Sequence, residues 1–143
     1  MKTLARLFLL IISLALAGTV LEAKDDNTPP GTLAMITTLP VRFSSEQVGK
    51  ALEAAFNGRK WTIVESKEGV VQATLEHRGI DSRVTAVFTA GKIKYYSDTG
   101  KSKQVYDSRI NKTVTVVTPL TPYGWLRNIE KDVKRQLGVL ASE

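Results

Sequence analysis

His77 is the only histidine of the chain, and Asp81 and Ser82 follow it at short spacing. A histidine with a hydroxyl and a carboxylate is the equipment of nucleophilic hydrolysis: the imidazole takes the serine proton and the carboxylate orients the imidazole. Arg78-Gly79 lies between them and signals a turn. Such a set works only in the right geometry, so the pattern favours a turn or edge histidine and leaves a small hydrolase as a second reading. Metal chemistry has less to work with. There is no cysteine, and Glu76 and Asp81 lack the spacing of zinc ligands. Glu65 and Glu68 flank a turn, while Glu130 and Asp132 fall on the polar side of a helical pattern, so neither pair reads as an acid–base couple. The chain has no phosphate-cradling glycine loop, no G-x-S-x-G and no H-E-x-x-H. This reading assigns no catalytic residue, no metal ligand and no cofactor.

The remaining chemistry is charge. Lys92, Lys94, Lys101, Lys103, Arg109 and Lys112, interleaved with Tyr95, Tyr96 and Tyr106, make the most basic stretch. Lysines attract anionic groups and tyrosine rings stack on sugars or bases. The candidate anionic-ligand residues are therefore Lys92, Lys94, Tyr96, Lys101, Lys103, Arg109 and Lys112. The competing reading is the solvated face of a strand whose lysines discourage edge-to-edge aggregation, and the alternation of Lys92 and Lys94 with Ile93 and Tyr95 favours it. Asn111-Lys112-Thr113 also fits a glycosylation acceptor, which matters only in a eukaryotic secretory pathway.

An address precedes these residues. Lys2 and Arg6 form a basic start, Leu7 to Leu16 is apolar apart from Ser13, and Ala15 and Ala17 supply the small residues of an A-x-A cleavage site. That is the layout of a secretory signal peptide over residues 1–17. The apolar run is about half the roughly 20 residues a spanning helix needs, so cleavage is favoured over a retained anchor. Export makes nucleic acid an improbable partner. It leaves an anionic envelope polymer, a lipid surface or an envelope protein as the partner classes. Removing Lys2 and Arg6 takes the chain from 20 basic against 14 acidic residues to 18 against 14, a net charge of +4. Without disulfides, an exported domain of this size must be held by burial and backbone pairing.

The elements that would position these residues follow from periodicity. Residues 18–40 read as a flexible leader whose last part, Leu33 to Leu39, lies against the body as an edge segment, and 41–140 as one domain. Ser44 and Gln47 form a capping box ahead of a helix carrying Val48, Leu52, Ala55 and Phe56 on one face, with Asn57-Gly58 ending it. Period-two runs follow at Trp61–Lys67, Val71–Glu76, Val84–Phe88 and Lys92–Ser97, joined by short turns that permit only antiparallel neighbours. Asp98 to Asn111 has no apolar period and reads as a basic exposed loop, and Thr113–Thr118 as a fifth strand. A last helix from Tyr123 carries Trp125, Leu126, Ile129, Val133 and Leu137 as its stripe. The expected fold is α+β: a four-stranded meander, five with Thr113–Thr118, with both helices on one face.

Lys60-Trp61, Glu68-Gly69-Val70-Val71, Ala73-Thr74-Leu75 with Arg78, Ile93-Lys94-Tyr95-Tyr96-Ser97, Tyr106 and Tyr123-Gly124-Trp125-Leu126-Arg127-Asn128-Ile129 carry a resemblance. Over Ser44 to Leu137 the chain resembles a group of small bacterial exported proteins of unassigned activity, many of them lipoproteins. It departs from them in lacking a lipidated cysteine and in a longer Lys112–Pro122 stretch. The resemblance implies an α-ββββ-α order and a periplasmic or surface location, with no catalytic residues. The function expected is a non-enzymatic binding or interaction module. A hydrolase using His77 and a structural module pairing through Val114–Val117 by strand addition are the alternatives.

Overall fold

The computed structural model describes residues 29–40 and 42–139, and the signal segment lies outside the described residues. Strand β1 (Thr32–Thr38) precedes helix α1 (Ser45–Gly58). Strands β2 (Thr62–Lys67), β3 (Val70–His77), β4 (Ile80–Phe88), β5 (Lys92–Asp107) and β6 (Lys112–Pro119) follow, and helix α2 (Tyr123–Gln136) closes the order.

Helix α1 starts as its sequence dictates. The Ser44 hydroxyl accepts from the Gln47 amide at 3.2 Å, and the Gln47 side chain accepts from the Ser44 amide at 2.9 Å, so two free helix-end donors are satisfied reciprocally. The end differs from the expected Gly58 cap. Lys60 takes the left-handed conformation (φ 65°), its amide donating to the Asn57 carbonyl while the Trp61 amide donates to that of Phe56. This is a Schellman closure, and Phe56 against Trp61, 5.4 Å between ring centroids, is its hydrophobic contact. Helix α2 closes the same way with Gly138 (φ 75°) in the position that Lys60 occupies in α1.

The sheet is antiparallel throughout, in the order β1-β5-β4-β3-β2, with β6 also paired to β5. Six strands thus stand where four or five are expected, because β1 is a full member and β5 is much longer than its apolar period. Gly100 and Lys101 pair with Asp81 and Ile80 of β4 and also with Pro119 and Thr118 of β6. Strand β6 therefore lies on the edge of β5 away from β4, the edge that β1 occupies over Lys92–Ser97. The two strands sit end to end along it. At their junction Gly100 has no side chain, and a Cβ there would come within 2.6 Å of Val117.

Alternation puts Val71, Ala73, Val84, Ala86, Ile93 and Tyr95 on one face of the sheet, all fully buried. Helix α1 covers β2, β3 and β4, and α2 packs on α1 and against β1. Val48, Leu52, Phe56, Leu126, Ile129 and Val133 are their contributions to the same core. Burying one such side chain stabilises the fold by about 1.5–3 kcal/mol. The other face, with Glu76, Asp81, Arg83 and Asp98, is open to solvent. Arg59 binds Asp132 through two nitrogens at 2.6 and 3.2 Å, tying the end of α1 to α2. This contact holds the Asp132 carboxyl below its ordinary pKa.

Candidate functional site

The stretch Asp98–Asn111, expected as a loop, is strand as far as Asp107. Period-two alternation marks a strand only where one side is buried. Past Lys101 both sides face water, so the alternation disappears although the backbone pairing continues. Lys101 is the last residue of β5 joined to β4. Beyond a last bond from the Ser102 amide to the Gly79 carbonyl at 2.9 Å, Ser102–Asp107 and Lys112–Val117 pair with each other as a two-stranded arm that extends about 20 Å past β4. The turn is held locally: the Asp107 carboxylate accepts from the Arg109 backbone amide at 3.0 Å and from its guanidinium at 3.0 and 3.2 Å. Arg109 in turn keeps the Asp107 carboxyl below its ordinary pKa. Asn111 takes the left-handed position (φ 53°), and its side chain accepts from the Tyr106 hydroxyl.

The arm is basic and exposes apolar side chains on both faces. Tyr106, Val117 and Ile110 are 60, 60 and 54% exposed, and Val105 and Val116 are also exposed. From Lys101 to Pro119 there are four basic residues and one acidic, a net charge of +3. Register places Lys101, Lys103 and Val105 on one face with their partners Thr118, Val116 and Val114. Gln104, Tyr106, Thr115 and Thr113 are on the other, where the Gln104 amide donates to the Thr115 hydroxyl at 2.9 Å. Arg109 is committed to Asp107. Among the described residues no ion pair holds Lys101, Lys103 or Lys112.

Not all the candidate residues belong to this arm. Lys92, Lys94 and Tyr96 lie on the open face at the far end of β5, beside Thr38, Ile36 and Leu33 of β1. Fifteen strand steps, about 50 Å, separate Lys92 from Asp107. Tyr95, between them in sequence, points into the core. Its burial raises the phenol pKa, and neither its hydroxyl nor that of Thr37 has a hydrogen-bond partner by geometry among the described residues. The basic stretch is thus two surfaces and a core residue.

The hydrolytic set is not assembled. Asp81 is exposed on the open face, opposite Gly100 and Glu76, whereas Ser82 is buried on the helix side. The Ser82 hydroxyl bonds that of Thr99 at 2.7 Å, and Thr99 also bonds Ser97. His77 meets neither; its ring packs edge to face on Trp125, 6.3 Å between centroids. Glu65 is paired with Lys67 and Glu130 with Lys134. What sequence reading missed is the groove between Lys60-Trp61, His77 and Trp125. The clue available was that both tryptophans of the chain stand close to basic residues.

No helix among the described residues is long and apolar enough to cross a membrane. Compared with protein-family models, curated proteins and solved structures, the chain matches none.

Proposed function

We propose that this protein is a non-enzymatic interaction module of the bacterial envelope that docks on an anionic envelope component through the β5–β6 arm. The observation that carries the reading is the arm itself. It is a projecting ribbon in which exposed Val105, Tyr106, Ile110 and Val116 accompany three lysines without ion partners among the described residues. Apolar area and positive charge on one lever are what adhesion to an anionic surface uses. The export pattern of residues 1–17 and the resemblance to exported proteins support the envelope setting.

The test is retention on envelope fractions and on vesicles of phosphatidylglycerol in phosphatidylcholine. Each lysine near an anionic surface contributes about 1 kcal/mol, so reversing Lys101, Lys103 and Lys112 to glutamate lowers binding by about 100-fold or more. Reversing Lys92 and Lys94 leaves most of it. Unchanged retention of the triple variant at matched salt would overturn the reading. A second reading, strand addition, rests on β6, which among the described residues has a strand on only one side and exposes Val116 and Val117. It predicts a discrete assembly in sedimentation velocity, and a monomer from native extracts would count against it.

A further inference from the structure

At the end of the sheet from which the arm leaves, a groove of about 500 Å³ opens between the end of α1, the β3–β4 turn and the start of α2. Lys60, Trp61, Glu76, His77, Trp125 and Asn128 line it. Its wall is aromatic: Phe56, Trp61, Trp125 and His77 succeed one another edge to face at 5.4, 6.0 and 6.3 Å between centroids. Trp125 keeps part of its surface in solvent, while Phe56 behind it is fully buried and braces the row. The rim is polar, with an amide at Asn128, an imidazole at His77 and an ammonium at Lys60.

Among the described residues three other than glycine have positive φ, and two of them adjoin this groove: Lys60 (φ 65°) and Arg78 (φ 50°), the residue after His77. At the third, Asn111, the chain uses a residue whose short amide tolerates the conformation. At the matching closure of α2 it uses Gly138. Beside the groove it holds long cations at both positions: Lys60 as the left-handed residue that closes α1, and Arg78 with Gly79 (φ 77°) as the central pair of the β3–β4 hairpin turn. Arg59 also lines the groove, but Asp132 holds it. That leaves Lys60 as the lining cation without an ion partner among the described residues.

A hydroxylated ring bearing an acid group answers this set. Its C–H faces would lie against indole, its hydroxyls would accept from the Asn128 amide, and its carboxylate would meet the Lys60 ammonium. We propose that the groove binds an acidic sugar, a pyranose carrying a carboxylate, with Trp125 as its platform and Lys60 as its anion contact. The site is separate from the arm and stands or falls without it.

Both tryptophans of the chain are in the groove, so intrinsic fluorescence of the full domain reads this site directly. Titration with trigalacturonate is expected to give a saturable change with a Kd of about 1 mM or tighter. Galactotriose, the neutral counterpart, should bind at least about tenfold more weakly, since a charge-assisted contact is absent. Lys60→Gly, which relieves strain and so keeps the fold, should weaken trigalacturonate about tenfold while leaving galactotriose unchanged. Trp125→Phe should weaken both sugars. Absence of a saturable change with trigalacturonate overturns the proposal, as does equal response to the neutral sugar or an unaltered affinity in Lys60→Gly.

Discussion

Lys60→Gly is also the sharpest probe of how the fold is held. A residue with a Cβ in the left-handed region costs about 1–2 kcal/mol relative to the right-handed one. Glycine removes that cost but enters folding with more chain entropy to lose, which offsets part of the gain and leaves about 0.5–1 kcal/mol. Nothing on the folded side opposes this. Lys60 is exposed, no ion pair holds it among the described residues, and the two closing hydrogen bonds are backbone ones that glycine keeps. For a domain of this size the gain corresponds to a rise in Tm of about 2–6 °C. Thermal unfolding followed by circular dichroism measures it, and urea titration should show a higher midpoint at unchanged slope. Gly138→Lys, the reverse change at the matching closure of α2, should lower Tm by a similar amount. If Lys60→Gly unfolds at or below the wild-type temperature, the Lys60 side chain makes stabilising contacts of its own. Its presence beside the groove would then need no ligand to explain it.

Replacing Ser102–Val117 with Asn-Gly, a two-residue loop joining the paired Lys101 and Thr118, should leave the far-ultraviolet spectrum β-rich and Tm within a few degrees, because apart from the Ser102 amide on the Gly79 carbonyl the arm pairs with itself. Cooperative unfolding lost in that variant would mean that the arm is part of the core fold. Tyr95→Phe should be neutral or stabilising by about 1 kcal/mol in urea titration, since it removes a buried hydroxyl without a partner; a loss of that size would show that Thr37 accepts its proton. Asp132 has its pKa lowered in the fold, so its contribution is complete above the ordinary carboxylate value near 4 and is lost as pH falls through the lower folded value. Asp132→Asn should therefore flatten stability against pH in that acid window and change little in the shape of the curve at neutral pH.

The α+β class, α1 with its capping box, the β2-to-β5 meander and α2 were legible because each has one buried side, which imprints its period on the sequence. Leu52 at the centre of α1 and Ile129 at the centre of α2 are both in the core. The outer half of β5 was illegible for the converse reason: Lys101 to Tyr106 has water on both faces, and only pairing with β6 makes it a strand. The end of α1 at Gly58 was legible but its closing residue was not: Asn57-Gly58 carries the expected chemistry, while the Phe56–Trp61 contact sets the left-handed residue at Lys60. Candidate-site residues fared worse. Alternation separates neighbours in sequence, so Lys94, Tyr95 and Tyr96 look to opposite faces, as do Asp81 and Ser82. The groove joins Trp61 to Trp125, whose proximity depends on how the two helices cross.

Strands β1 and β6 meet nose to tail along one margin of β5, with Gly100 at the seam. On the opposite margin β4 pairs with β5 as far as Lys101, and the β3–β4 turn takes one further bond, from the Ser102 amide to the Gly79 carbonyl. Any force gathered at the tip is delivered to the few rungs around Gly100, beside the Ser97–Thr99–Ser82 hydroxyl relay. A side chain introduced at that seam would have to displace a methyl group of Val117, so the join between sheet and lever is kept by a residue that has no side chain.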